Sequence, residues 1–478
     1  MLSRAVRRRA GPGCCSGGRP PVLLVPLVPP PVLVPLVPLV RPVLLVGMLH
    51  AAACMENAEL QRELDWLYGV QQFGIKLGLE GITRLLRACG VLYPRAWVIH
   101  VAGTNGKGST CAFAESVARA AGYRTGLFTS PHLVSFHERI RVDGENIPDE
   151  AVIRLIRQVR DVVADWDPAP TFFELVLAVA MLYFAEREVD VIILETGMGG
   201  RLDATNAVPK DVAVLAPIGL DHTQYLGHTL YEVAGEKAAI LAWHRPAVSA
   251  PQEPEAWRAI HEAMLRMDTD CRVVTEECTL PLGLKGAHQR RNAALAVAAL
   301  RALPHFLCSE EELACGLAQV RWPGRFEEVA PGVIMDGAHN PHAMRVLVRT
   351  WRETYGEAQA RCVFAGSADK ALDEVLELLA PVVKEWVLPP VQSPRILPVA
   401  ELVACVRRAS SAPVHCPATL VEALDEVLGQ EASDEVPGQD ARGTTSAPAE
   451  LTLICGSFFL LGEAKALMQQ AQYRSTAQ

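Results

Sequence analysis

The sequence predicts an α/β protein of two domains, each built on a largely parallel sheet with helices on both faces. Three observations predict it. The chain of 478 residues is too long for one ordinary core. Short apolar runs alternate with stretches at helical period along most of its length. The alternation then restarts after Trp322-Pro323-Gly324-Arg325, where a Pro-Gly pair marks a break.

Taken in order, residues 1–54 stand apart. Arg4, Arg7, Arg8 and Arg9 precede a Pro/Val/Leu run from Pro20 to Val46. The recurring prolines Pro26, Pro29 to Pro31, Pro35 and Pro38 each remove a hydrogen bond that a lipid-exposed helix cannot replace, which argues against a transmembrane span. A targeting presequence is an amphipathic helix and fits no better. The expectation is a disordered extension or residues upstream of the true start, with Met48 or Met55 as that start. From Ala58 to Gly90, Leu60, Leu64 and Leu67, then Ile82, Leu85 and Leu86, recur at helical spacing around Gly69 and Gly74, giving two helices. Trp97 to Ala102 reads as a strand, the next eight residues as a glycine-rich turn, and Cys111 to Ala121 as a helix. Thr125 to Phe128, Val189 to Leu194, Val212 to Pro217 and Ala247 to Ala250 read as further strands, with helices at Ala151 to Val163 and Thr171 to Glu186. The second series has strands at Gly332 to Met335, Arg361 to Ala365, Glu385 to Leu388 and Leu451 to Cys455. The expected division is a nucleotide-binding domain over 55–321, a hinge over 322–330, and a smaller α/β domain over 331–478. Residues 430–450, rich in Gly, Ser, Thr, Pro and acids, are expected to form a flexible loop.

Composition narrows the function. Half the residues are hydrophobic, 21% are charged, and the formal net charge is -9, so there is no basic footprint for nucleic acid. The 13 cysteines are odd in number and form no C-x-x-C pair, which reads as reduced thiols in a cytoplasmic protein.

The strongest local signal is Gly103-Thr104-Asn105-Gly106-Lys107-Gly108-Ser109-Thr110, between the strand ending at Ala102 and the helix that follows. Glycines let backbone N–H groups approach phosphate oxygens, the helix N-terminus adds positive potential, Lys107 brings a mobile charge, and Ser109 or Thr110 can serve phosphate or Mg²⁺. The segment departs from G-x-x-x-x-G-K-[ST], because two residues separate Gly103 from Gly106 and a glycine follows the lysine. Glu195, at the C-terminal end of an apolar strand, is a natural Mg²⁺ ligand, and Ser130 ends the preceding strand with a hydroxyl oxygen. On chemistry alone His222 reads more readily as a hydrogen-bonded structural histidine than as a Mg²⁺ ligand. Arg325, at the hinge, reads equally as an ordinary ion pair or as a charge-neutralising group. Asp336, in Asp336-Gly337-Ala338-His339-Asn340-Pro341, follows the first strand of the second series and should face the cleft. Phe172 and Phe173 can stack on a flat heteroaromatic ring or belong to a helix core.

The variant phosphate loop resembles that of the Mur ligase superfamily. Further segments resemble its folate ligase branch: Thr129-Ser130-Pro131-His132-Leu133, Glu138-Arg139-Ile140, and Leu194-Glu195 through Gly199-Gly200-Arg201-Leu202-Asp203-Ala204-Thr205-Asn206. The order continues with Asp221-His222-Thr223, Glu236-Lys237-Ala238, His288-Gln289 with Asn292-Ala293, Trp322-Pro323-Gly324-Arg325, Asp336 to Pro341, and Cys455-Gly456-Ser457. The resemblance spans roughly Leu77 to Glu463. It implies a P-loop-type ATPase domain like the Mur ligase central domain and a Rossmann-like C-terminal domain. It places Ser130, Glu195 and His222 on Mg²⁺, with a monovalent cation such as K⁺ as a further candidate, and makes Lys237 a carbamylated anion. It puts Thr104 to Thr110, Asn292, Arg325 and Asp336 on ATP, with His339 near the phosphates. Thr171, Phe172, Phe173, Glu174, Leu202, Asp203 and Ala204 fall in pteroate-contacting segments, and Leu77-Gly78-Leu79-Glu80 in an N-terminal folate loop. Lys107, Lys237, His339 and Asp336 carry the catalytic expectation.

A carboxylate does not condense with an amine unaided, because hydroxide is a poor leaving group. The resemblance implies γ-phosphoryl transfer from ATP to a dihydropteroate or folate carboxylate, then capture of the acyl phosphate by L-glutamate, in a monomer without membrane partners. Two rivals remain at this stage. A peptidoglycan precursor ligase needs a UDP-binding domain before the loop, and about fifty residues leave little room. A nucleotide-binding switch would leave Asp336, His339 and the hinge unexplained.

Overall fold

The computed structural model describes residues 58–70, 78–367, 371–428 and 450–476. The expected extension over 1–54, Leu77 of the expected folate loop and nearly all of the expected loop near 430–450 lie outside the described residues.

Two helices, α1 (58–69) and α2 (Glu80–Ala88), lead into β1 (Trp97–Ala102) and α3 (Lys107–Ala120). There follow β2 (Thr125–Phe128), β3 (Ile140–Val142), β4 (Glu145–Asn146), α4 (Asp149–Val163), α5 (Phe172–Glu186), β5 (Val191–Glu195), β6 (Val212–Leu215), α6 (Thr223–Leu226) and α7 (Leu230–Ala238). The first unit ends with β7 (Ala247–Ser249), α8 (Pro254–Met267), β8 (Cys271–Val273), α9 (Ala287–Arg301) and α10 (Glu310–Gln319). Its strands form one eight-stranded sheet in the order β4-β3-β2-β5-β1-β6-β7-β8, parallel except for the antiparallel edge of β3 and β4.

All six residues of β1 and all five of β5 are buried, as expected of strands covered on both faces. Alternation sorts the side chains: Ile192 and Leu194 pack with Leu85, Ile156 and Val179 under α2, α4 and α5. Val191 and Ile193 pack with Phe113, Ala296 and Leu317 under α3, α9 and α10. At the crossing of α3 and α10 a Cβ on Gly316 would lie 2.6 Å from Val117 Cα, and Ser116 Oγ donates to the Gly316 carbonyl at 2.7 Å. The small residue sets that close approach.

The second unit contains β9 (Glu327–Ala330), β10 (Val333–Asp336), α11 (Pro341–Tyr355), β11 (Ala360–Phe364), α12 (Leu372–Leu379), β12 (Val383–Val387), α13 (Val399–Ala409), β13 (Val414–His415), α14 (Leu420–Leu428), β14 (Thr452–Cys455) and α15 (Phe458–Thr476). Its sheet order is β13-β12-β11-β14-β10-β9, with only β9 antiparallel. On one face Phe364 and Trp386 of the sheet pack with Trp351 of α11 under α11 to α13, and the other face is covered by Leu424, Leu460 and Leu461 of α14 and α15.

The expected strands recur within one or two residues at each end. Five were not expected: β3, β4, β8, β9 and β13 are two to four residues long and lie at or next to sheet edges. The segment expected as a hinge, 322–330, needs correction for the same reason. Residues Glu327–Ala330 already pair with β10, so the connection between the sheets ends at Phe326. Among the described residues no helix is long and apolar enough to cross a membrane.

Candidate active site

The expected residues gather at the C-terminal ends of β2, β5, β1 and β6, neighbours in the first sheet. An open parallel sheet places its ligands there, because the crossover loops diverge and helix N-termini converge. After β1 the chain turns tightly. A Cβ on Gly103 would meet Ala216 Cβ at 2.7 Å, and Gly106 takes φ 83 to start α3, where a Cβ would lie 2.7 Å from Asn292 Oδ1. The backbone N–H groups of Thr104 and Asn105 donate to the Pro217 carbonyl at 2.9 and 3.3 Å, tying the loop to the segment after β6. Helix α3 has no side-chain cap and no acid in its first turn, so its positive end stays available for an anion. Ser109 is buried, and the buried Thr110 hydroxyl has no hydrogen-bond partner.

Two lysines converge on this loop. Lys107 Nζ donates to the carbonyls of Gly103 and Thr104 at 3.1 and 3.2 Å, and Lys237 Nζ, from the last turn of α7, donates to the same Gly103 carbonyl at 3.0 Å. Lys237 is 5% exposed, and its neighbour Glu236 pairs with Arg201 at 2.8 Å. Burial, with the Lys107 charge beside it, pushes the Lys237 ammonium down to about 7. Asp221 and Asp203 oppose that shift.

Glu195 ends β5 with 5% exposure, and its Oε2 accepts from the Ser130 backbone N–H at 3.2 Å. Burial raises its pKa, while Lys107, the Ser130 N–H and Arg325 lower it. Thr196, the next residue, keeps a buried hydroxyl without a partner. His222 opens α6 in the left-handed region at φ 51, with its side chain exposed. Among the described residues no three His, Cys, Asp or Glu side chains cluster into a metal cage. The expected set has only two such groups and a hydroxyl. That sparse oxygen-rich set suits Mg²⁺, which keeps waters and phosphate oxygens as its other ligands. The desolvated Glu195, held by a single backbone N–H, fits such an ion.

Across the cleft the turn from β10 into α11 faces the loops of the first sheet. Asn340 caps α11 by accepting from Ala343 N–H at 2.8 Å. It also pairs with Asn105 at 3.3 Å and donates to Asp221 Oδ2 at 3.0 Å. Asn105 Nδ2 lies 2.7 Å from His342 Nδ1. His339 Nδ1 donates to the Gly337 carbonyl at 2.8 Å, since a carbonyl only accepts, and Nε2 lies 4.0 Å from Asp221 Oδ2. Asp336 is more enclosed than expected. Its carboxylate accepts from the backbone N–H groups of Phe326 and Ala338, both at 2.8 Å, so it clamps the inter-sheet connection. Burial raises its pKa against the pull of Arg325. Arg325 lies over the Phe458 ring at 5.0 Å, and Gly337 leaves it room, because a Cβ there would meet Arg325 Nη1 at 2.5 Å. Asn292 lies against Gly106, its Nδ2 bound to Gln289 at 3.0 Å.

In the expected acceptor segments the structure separates roles. Thr171 and Glu174 form a reciprocal cap on α5, with Glu174 Oε2 accepting from Thr171 N–H at 2.7 Å. Phe172 is buried and stacks on Tyr68 at 5.4 Å. Phe173 is half-buried against Phe128 and Gly197. Asp203 accepts from Gly197 and Met198 N–H at 2.8 and 2.9 Å, and from both the N–H and the hydroxyl of Thr205. It shapes the loop after β5, on which Leu202 is 37% exposed and Ala204 is buried. Sequence reasoning did not single out Asn340, His342 or Arg139. The first two stand beside residues it did select, and only proximity to Asn105 reveals their part.

Residues 101–259 match the Mur ligase middle domain, and residues 324–439 match the Mur ligase, glutamate ligase domain. The dihydrofolate synthase/folylpolyglutamate synthase of Bacillus subtilis is 38% identical over 351 residues, covering 66% of this chain and 81% of that protein. That of Escherichia coli is 34% identical, covering 83% and 92%. The chain belongs to the dihydrofolate synthase/folylpolyglutamate synthase family. Solved members share the fold. Escherichia coli FolC, in complex with DHPP and ADP, superposes with a TM-score of 0.75 at 31% identity, covering 86% of this chain and 98% of that one. The Yersinia pestis bifunctional enzyme, complexed with AMPPNP and a Mn ion, gives 0.74 at 29% identity, covering 86% and 98%. The two-sheet α/β architecture of this family member is thus that of its solved relatives.

Proposed function

We propose that this chain is an ATP-dependent ligase that joins L-glutamate to dihydropteroate, forming dihydrofolate, and to the γ-carboxyl of folates, extending a polyglutamate tail. One observation carries this reading. An anion-ready helix end with two lysines, a buried Glu195 beside Ser130, and His339 with Asn340 from the second unit all face one cleft in a chain of this family.

In this reading α3, Lys107 and Arg325 hold the triphosphate, with Asn292 and Asp336 shaping the nucleotide side. Ser130, Glu195 and His222 would hold Mg²⁺, which neutralises phosphate charge and orients the transferred group. A monovalent cation such as K⁺ is a second candidate ion beside the phosphates. Phe173, Leu202 and Ala204 flank the acceptor. The acceptor carboxylate oxygen attacks the γ-phosphorus and ADP leaves; the glutamate amine then attacks the acyl carbon and phosphate leaves, giving the amide and a proton. Lys237, an uncharged amine above pH about 7, adds CO₂ with loss of a proton and becomes the carbamate anion. Closure around His339 and Asn340 keeps water from the acyl phosphate. The protein works as a cytoplasmic monomer on small molecules, without nucleic acid.

The test is phosphate release by the purified protein with MgATP and L-glutamate. Release with 7,8-dihydropteroate supports dihydrofolate synthesis, and release with tetrahydrofolate supports tail extension. Nucleotide binding with silence toward both acceptors would overturn the assignment.

A further inference from the structure

Most charged side chains buried in the first sheet unit have obvious partners. Glu63 accepts from Arg157 and Arg160 at 2.7 and 2.8 Å, Glu115 from Arg119 and Thr125 at 2.9 and 2.7 Å, and Lys210 donates to the carbonyl and side chain of Asn206. Arg139 differs. It is 9% exposed, and among the described residues no carboxylate lies within ion-pair distance of it. Its guanidinium makes one hydrogen bond there, from Nε to His132 Nδ1 at 2.7 Å.

That partner does not neutralise it. The Arg139 Nε–H occupies the Nδ1 lone pair, so that nitrogen carries no proton and the ring is an uncharged imidazole. Accepting at Nδ1 places the His132 proton on Nε2. Glu138, the adjacent acid, accepts from the backbone N–H groups of Leu133, Val134 and Ser135 at 2.7 to 2.9 Å. A largely buried guanidinium whose outer donors have no protein partner favours an anion at its open edge. It is also aimed. The Arg139 carbonyl accepts from Thr129 N–H at 3.0 Å, one residue before Ser130, and its guanidinium carbon lies 5.4 Å from the centre of the Phe172 ring. Burial weighs against its charge, while Tyr68 on the aromatic side, then Glu138, then Glu195 on the metal side of the cleft favour it.

We infer that Arg139, oriented by His132, binds the carboxylate of the acceptor and presents it between the aromatic wall and the phosphate loop. The inference rests on the functional reading above and deepens it. A planar fork of donors matches a carboxylate in two parallel hydrogen bonds. Such a contact holds the nucleophilic oxygen in line, and it rejects neutral acceptors by leaving the guanidinium unpaired.

The test compares binding of 7,8-dihydropteroate and of its methyl ester to the MgADP-loaded protein by calorimetry, in wild type, R139Q and R139K. Charged hydrogen bonds of this kind are expected to make wild type favour the acid by about 10- to 100-fold. R139Q should lose that preference, keeping ester and MgADP binding within about threefold. R139K, which keeps the charge without the fork, should retain part of it and carries the test if R139Q does not fold. An undiminished preference in both variants, or equal loss of acid and ester binding, overturns the assignment of Arg139. Wild type that binds neither acid nor ester overturns the acceptor reading, and this inference with it.

Discussion

At Lys237 burial and a neighbouring ammonium act together. The folded-state pKa near 7 lies well below that of an exposed lysine, so the unfolded chain binds the extra proton. Between about pH 7 and 10.5 the unfolded state therefore holds more protons, and the stability owed to this group rises with pH across that window. The reactive neutral amine is lost as pH falls below about 7. Initial rates at saturating substrate and fixed bicarbonate should accordingly show an acid limb near that value. The variant K237A should be slow at every pH, and added acetate should restore part of its rate by supplying the missing anion. Lys107 calls for a different outcome: K107A should cost about 10²- to 10³-fold in phosphate release with an unchanged circular dichroism spectrum, the scale expected for one transition-state charge. Lys107 was legible from its motif, because Gly106 ahead and the helix behind admit little else. The enclosure of Asp336 was not, since it depends on Phe326 and Ala338 N–H groups that no residue pattern marks.

At the level of elements, legibility followed burial. β1 and β5 announce themselves because both faces are covered, so nearly every side chain must be apolar. The edge strands β4 and β13 have two residues each and no such constraint, and they exist because a neighbour offers unpaired backbone groups. The α3–α10 crossing carries a sharp prediction. G316A places a methyl against the Val117 and Ser116 backbone, which cannot retreat as a flexible side chain would. It should destabilise the first unit by about 1–3 kcal/mol, seen as a lower urea midpoint with unchanged slope. A similar cost is expected of G106A, where positive φ adds to contact with Asn292, and MgADP affinity should fall with it.

For the whole molecule, the contact of the two units is polar at the cleft, where Asn105, Asp221, Asn340, His339 and His342 meet, while Leu133 packs against the apolar cluster of Leu460 and Leu461 and Lys285 pairs with Glu328 at 2.9 Å. The polar contacts at the cleft can break for exchange and re-form for chemistry. If Asn105 and Asn340 act as one contact, N105A and N340A should be non-additive in kcat/KM for ATP, with a coupling of about 0.5–3 kcal/mol in a double-mutant cycle. Strict additivity would mean that the pairing has no part in the active arrangement.

The amino-acid sequence determined the fold class, the two sheets, the phosphate loop and most of the family's motif residues, because each is written locally: a period, a glycine at a tight turn, an acid at a strand end. The tertiary structure decided which members of those motifs hold the scaffold and which face the cleft. Asp203, Thr171 and Glu174 proved bound to their own backbone neighbours, whereas Arg139, in a motif that matched the family without giving the residue a role, is a buried cation with no carboxylate at ion-pair distance among the described residues. The physical reason is that a hydrogen bond or an ion pair belongs to two residues at once, and the second is set by how distant strands and loops come together.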